Sequence, residues 1–170
     1  MKTAIVWFKT DLRLYDNEAL IKAIEQGDQI LPIYCFDDSH FETTQYGFKK
    51  TGSYQTQFLL ESLIDLDANL RKMGSGLLIL KGKPEVEIPN IVAEYKVHKV
   101  FAEREVAFEE KRTEKLVQTE LFKLRCELES FSTSTLYHAV DLPFSIKDIP
   151  DVFTNFRKKN RTRRNSESYF

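Results

Sequence analysis

Between residues 3 and 131, five short apolar runs alternate with four longer stretches of helical periodicity. The runs lie at 3–8 (Thr-Ala-Ile-Val-Trp-Phe), 29–36 (Gln-Ile-Leu-Pro-Ile-Tyr-Cys-Phe), 77–81, 98–102 and 126–131. A run of that length with little polar alternation reads as a strand covered on both faces. Strands that take turns with helices build an open parallel sheet, since each helix carries the chain back to start the next strand in the same direction. The fold class is therefore α/β: a five-stranded parallel, doubly wound, Rossmann-like sheet, with 3-2-1-4-5 as the expected strand order.

The helical stretches carry their own signals. Asp16 or Asn17 is placed to cap the first, which turns Ala19, Leu20, Ala23 and Ile24 inward. In the second, Leu59, Leu63, Leu66, Leu70 and Met73 follow a 4-3-4-3 spacing, one apolar stripe ending at Gly74. Pro84 and Pro89 open the third, which carries Ile91, Val92 and Tyr95. Proline deep inside a helix kinks it, so the first turn before Pro89 is expected to be separate. The fourth runs from about Phe108 to Leu124 with Val117, Leu121 and Leu124 inward.

Beyond residue 132 the pattern dissolves. Residues 132–138 and 141–144 read as ordered coil, 149–158 as a short helix or turn capped by Asp151 or Thr154, and the tail from Lys159 as frayed. The expected division is a domain over 1–150 and a linker start with a basic tail over 151–170.

Composition narrows the function. At 170 residues the chain suits one domain, and 42% hydrophobic with 30% charged residues gives no sign of general disorder. No apolar run approaches the ~20 residues that span a bilayer, and the N-terminus has no signal-peptide pattern. Cys35 and Cys126 both fall in or beside apolar strands, as reduced core cysteines of a cytoplasmic protein do. The three histidines have no ligand-like spacing to either, and no metal site is expected.

The six glycines form neither a dinucleotide-binding G-x-G-x-x-G nor a phosphate-binding P-loop, and no G-x-S-x-G elbow or Cys–His pair is present. An ordinary dehydrogenase, a P-loop enzyme and a hydrolase are thus disfavoured. Net charge is −1, yet six of the eight residues from Arg157 to Arg164 are basic, leaving about −7 on the rest. Such a run can bind a nucleic-acid backbone, although more often it is a solvated linker or chain end.

In an open α/β sheet, ligands bind beyond the carboxyl ends of the strands, where the strand order reverses. For order 3-2-1-4-5 that crevice lies between the first and fourth strands. It is flanked by Lys9-Thr10-Asp11 and Glu103-Arg104-Glu105, with Phe36-Asp37-Asp38 on the same rim. Glu105 is the position of interest. A carboxylate there can accept paired N–H donors from a heterocycle, or it can simply pair with Arg104, Lys111 or Arg112. Asp11 and Arg13, likewise, have a bland reading as a surface ion pair.

The segment Trp7-Phe-Lys-Thr-Asp-Leu-Arg13 followed by Asp16-Asn17 resembles the opening of the DNA photolyase/cryptochrome family. Leu31–Asp37, Thr51–Leu63, Asn69–Gly74, Glu103–Val106, Thr135–His138 and Leu142–Phe144 continue the likeness in order. Pro150–Lys158 is similar to the DASH-type cryptochromes, so roughly residues 3–158 are covered.

The resemblance implies the N-terminal antenna domain of a deoxyribodipyrimidine photo-lyase. In such proteins light-driven electron transfer from reduced FAD repairs cyclobutane pyrimidine dimers. It implies a folate chromophore, methenyltetrahydrofolate, whose glutamate contact matches Glu105. The candidate cofactor-binding set is Glu105 with Lys9, Phe36, Asp37 and Lys50, and Lys9 is expected to meet a ligand carboxylate near solvent.

FAD and the lesion-containing DNA belong to a helical domain for which this chain has no room, so no catalytic residue carries over and no repair by the chain alone is expected. Val140, Leu142, Phe144, Val152, Phe153 and Phe156 are expected to form the surface toward that domain, and to allow self-association when exposed. Departures from the family pattern are Lys9 and Gln55 where arginine is usual, and the basic stretch after Asn160. The rival reading is a stand-alone nucleotide- or partner-binding α/β protein.

Overall fold

The computed structural model describes the backbone of residues 2–135 and 139–167. Strands β1 (Thr3–Phe8), β2 (Gln29–Phe36), β3 (Leu78–Lys81), β4 (Lys99–Glu103) and β5 (Glu127–Phe131) form one sheet in the order β3-β2-β1-β4-β5. Every pairing is parallel, as the alternation of elements requires. Between the strands run helices α1 (Glu18–Gln26), α2 (Ser53–Lys72), α3 (Pro84–Tyr95) and α4 (Phe108–Lys123). None of the helices over the described residues is long and apolar enough to cross a membrane.

The central strand shows why the sheet needs cover on both sides. Ala4, Val6 and Phe8 pack with Ala19, Leu20 and Ala23 of α1 and with Leu66 and Leu70 of α2. The alternate residues Ile5 and Trp7 join Ile88 and Val92 of α3 and Val117 and Leu121 of α4. Side chains alternate across a strand, so an unbroken apolar run feeds two cores at once. Gly27 permits the close seating of α1, because a Cβ there would come within 2.9 Å of the Ala4 Cβ.

Four details differ from the sequence reading. Met73 is 68% exposed and Leu124 is also exposed. Each is the C-cap residue of its helix, where the chain leaves the helical path and the side chain swings off the packed face. Leu59 is only half-buried, while Leu63, Leu66 and Leu70 of the same stripe are buried. Ile24 faces solvent, since the small residues Ala19 and Ala23 form the contact face of α1. Finally, α3 is continuous through Pro89, with Pro84 in its first turn. The missing N–H of Pro89 forfeits one helical bond, and fully buried Ile88 with Val92 holds the helix to the sheet regardless.

The chain falls into two compact units, Met1–Phe131 and Ser132–Phe170, so residues 132–150 group with the second. The second unit holds two short 3₁₀ turns, Ala139–Asp141 and Ile146–Asp148, and helix α5 (Phe153–Glu167). Residues 136–138, part of the expected coil, lie outside the described residues. The Val152 carbonyl accepts from the Asn155 and Phe156 amides and opens α5, which puts Thr154 inside the helix.

The expected frayed tail is instead helical through Glu167. Lysine and arginine are good helix formers, and Phe156 anchors the start against Phe144 (ring centroids 5.7 Å) and Phe153 (6.2 Å). Of the expected apolar surface, Val140, Val152 and Phe153 are exposed, whereas Leu142, Phe144 and Phe156 are half-buried.

Candidate functional site

The loop after β1 is built before it is functional. Asn17 caps α1, its Oδ1 accepting from the Leu20 amide at 3.0 Å. Its Nδ2 donates to Asp11 Oδ2 (3.0 Å) and to the Arg13 carbonyl (3.1 Å), while Asp11 Oδ1 accepts from the Lys9 amide (3.1 Å). Asp11 and Asn17 are both buried. Arg13 turns away and donates to the Asp16 carbonyl through Nε and a terminal nitrogen. Asp11 and Arg13 are therefore no surface ion pair; Asp11 organises the loop that fixes Lys9 and Thr10.

Those two residues meet the end of β4. Thr10 Oγ1 donates to Glu105 Oε1 at 3.1 Å, and Lys9 Nζ lies 3.8 Å from Glu105 Oε2. The Lys9 ammonium is not poised near solvent as expected. Its side chain is 8% exposed, and Nζ donates to the Glu103 carbonyl (2.8 Å) and Glu114 Oε2 (3.0 Å) while sitting 4.5 Å above the Trp7 ring. Glu114 in turn accepts from Ser130 Oγ (2.9 Å), which accepts from Arg104 Nε (3.1 Å). A buried charge survives only when paired and fully bonded. Lys9 meets that condition inside the protein, as the post on which the Glu105 carboxylate rests.

Around this pair opens a crevice of about 310 Å³ at the carboxyl ends of β1, β2 and β4. That is the switch point of the sheet, and the volume lies at the small end of ligand sites, suited to a single heterocyclic head. Glu105, Lys9, Asp37 and Lys50 line it together. Asp37 is buried and accepts from the Ser39 amide at 2.8 Å, while Lys50 pairs with Glu109 at 3.4 Å.

Phe36 does not belong to this set. It lies on the far side of the β2 terminus, along a shallow groove with Leu60, Leu63 and Ile79. Tyr34 shares its strand parity and does line the crevice, but Phe36, the last residue of β2, packs against Tyr34 and Phe41 instead (ring centroids 5.0 and 6.2 Å).

The crevice also takes in residues that the sequence reading did not single out as ligand contacts: Trp7, Tyr34, Gln55, Glu110 and Thr113. Trp7, Tyr34 and Gln55 carry no signal of this in the sequence, but helical spacing flags the two on α4. Glu109 and Glu110 lie four and three residues before Thr113, so all three share one face of α4 once it is known to start at Phe108.

Burial dominates the electrostatics. It pushes the Tyr34 hydroxyl and the Cys35 thiol up to about 12, the thiol with added repulsion from Asp37. Both stay protonated, and Cys35 Sγ donates to the Gly82 carbonyl at 3.4 Å. Burial also raises Glu105 above the ordinary glutamate value. Lys9 and the Thr10 hydroxyl pull it back, and Glu110 and Glu103 push it further up. Among the described residues no group of three or more His, Cys, Asp or Glu is placed to hold a metal ion.

An open parallel sheet in this order, flanked by helices, matches the N-terminal α/β domain of photolyases. The DNA photolyase family model matches residues 4–168, and the chain belongs to that family. It is 45% identical to the chloroplastic/mitochondrial cryptochrome DASH of Solanum lycopersicum, over 91% of this chain and 30% of that one. The corresponding protein of Arabidopsis thaliana is 46% identical over 91% of this chain and 28% of its own length. The crystal structure of the Synechocystis sp. PCC6803 cryptochrome superposes with a TM-score of 0.93 at 40% identity, covering 96% of this chain and 34% of that chain. The chain thus spans about a third of the length of the relatives it matches.

Proposed function

We propose that this chain is the antenna-chromophore domain of a DASH-type cryptochrome, and that its switch-point crevice holds the pterin head of a reduced folate, methenyltetrahydrofolate. The observation that carries the reading is the Glu105 carboxylate. It stands at the end of β4 in a cavity of heterocycle size, braced by Thr10 at 3.1 Å and Lys9 at 3.8 Å.

Each carboxylate oxygen has two lone pairs, so the bond from Thr10 leaves Glu105 able to take the paired N–H donors of an amino-pyrimidinone edge. Lys9 and Thr10 orient it and offset part of the burial that raises its pKa. When bound, such a chromophore absorbs light and passes excitation energy to a flavin. In this reading the flavin is FAD, held with the damaged DNA by a helical domain in cis, which carries the light-driven repair of pyrimidine dimers. The second reading, a binding protein that uses the same crevice without any repair partner, requires the same Glu105 geometry and differs only in what the domain is joined to.

Fluorescence titration of methenyltetrahydrofolate tests the proposal. Glu105→Gln keeps the shape but turns one acceptor into a donor. Losing a charge-assisted bond costs about 1.5–3 kcal/mol, which weakens binding about tenfold or more. Equal binding by wild type and Glu105→Gln rejects the assignment.

A further inference from the structure

Glu110 has no role in the network that supports Glu105. It lies in the first turn of α4 and lines the crevice. Its Oε2 is shut off from solvent and has no hydrogen-bond partner. Buried polar atoms are almost always bonded, and a buried carboxylate oxygen without a donor is among the costliest exceptions.

The cations that line the crevice are spent elsewhere. Lys9 is held by Glu114 and the Glu103 carbonyl, and Lys50 pairs with Glu109. No metal-ligating cluster is placed to supply a counter-charge among the described residues. Glu110 in addition raises the pKa of Glu105 by like-charge repulsion, so the crevice holds more negative charge than its own residues neutralise.

We infer that Glu110 is the counter-ion for a positively charged ring on the ligand, so that the crevice selects a heterocycle carrying a delocalised cation over a neutral one of the same shape. This rests on the folate reading above. Within it, Glu105 reads the N–H edge of the pterin, and Glu110 answers the formal positive charge of the methenyl bridge, which is shared between N5 and N10. The neutral 5-formyl folate has the same pterin edge and the same glutamyl tail but no ring cation. Preference between the two therefore isolates Glu110 from Glu105. A vacant oxygen retained for a ligand is a familiar exchange of stability for binding.

The test is fluorescence titration of the 170-residue chain with 5,10-methenyltetrahydrofolate and with 5-formyltetrahydrofolate, for wild type and Glu110→Gln. Wild type is expected to prefer the methenyl form tenfold or more. Glu110→Gln is expected to reduce that preference to within about threefold, chiefly by weaker binding of the cation. The ligand-free melting temperature of the variant is expected at or above that of wild type, because Glu110 Oε2 has no hydrogen bond to lose.

A wild type that binds both folates equally, or a variant that keeps the preference, overturns the role of Glu110 while leaving the folate reading in place. A variant that melts lower or fails to fold shows Glu110 to be a supported structural group, which also overturns it. Binding of neither folate by wild type rejects the folate reading, and this inference with it.

Discussion

Single residues divide the crevice into support and contact. Asp11 reads in the sequence as half of a surface ion pair and Asn17 as a helix cap, yet both are buried, and together they fix the loop that carries Lys9. The cap at Asn17 is legible in the sequence, whereas the burial of Asp11 is not, because a polar residue after a strand reads as surface and only the loop's closure on the α1 cap buries it. Lys9 changed role for a related reason. Its partner Glu114 is 105 residues away, a distance across which sequence spacing says nothing.

The position of Glu105 was legible, since it followed from strand order alone, but its protonation behaviour was not. Burial raises its pKa, so a folded-state proton is held at a pH where an unfolded chain has already released it. The contribution of this group to stability is therefore greatest in acid, below the unfolded value of about 4.3, and is lost as pH rises through the raised folded value. Ligand binding carries the opposite sign, because the ionised carboxylate is the acceptor. Folate affinity is expected to be flat near neutrality and to fall on acidification with a midpoint above that of an exposed glutamate. The same titration repeated at successive pH values checks it, and a midpoint at or below the exposed-glutamate value contradicts the assigned burial.

At the scale of elements, the five strands and their order were readable because each doubly covered strand is a compact apolar word in the sequence. Helix faces were readable in their middles and not at their ends. The 4-3-4-3 stripe of α2 continues into Met73, but Met73 is the cap residue, where helical periodicity no longer sets direction. The physical distinction predicts a sharp contrast. Leu66 packs in the core with Val6, Phe8 and Phe101, so Leu66→Ala is expected to cost about 2–5 kcal/mol through lost burial and a residual cavity. Met73→Ala is expected to change stability by less than about 0.5 kcal/mol, as exposed positions do. Urea unfolding of both variants measures the difference, and similar costs at the two positions refute the assigned rotation of α2. The start of α5 is legible in the sequence as a short helix or turn over 149–158, but its extension to Glu167 is not, for the converse reason. Its stripe is short, limited to Phe153 and Phe156, and its remaining length rests on the helix preference of lysine and arginine.

At the scale of the molecule, the break after Phe131 decides what the crevice depends on. The sheet is complete at β5, whose last residue Phe131 accepts from the Arg104 amide at 2.7 Å and stacks on Phe101 (ring centroids 6.4 Å). Among the described residues, those lining the crevice lie between Trp7 and Thr113, and so do the charged groups that shift Glu105. The support chain that ends in Arg104 reaches only as far as Ser130. Residues 132–170 carry seven basic and four acidic side chains, so their removal changes net charge. The chain cut after Phe131 is therefore expected to unfold in one cooperative transition and to bind methenyltetrahydrofolate within about threefold of the 170-residue chain. Part of any small loss is expected to vanish at high salt, since exposed basic residues act on an anionic ligand tail through charge that salt screens. Circular dichroism through a thermal ramp follows the first expectation, and paired titrations at low and high salt follow the second. A drop of tenfold or more that salt does not remove would place part of the binding site beyond Phe131 and would require the crevice to be redrawn.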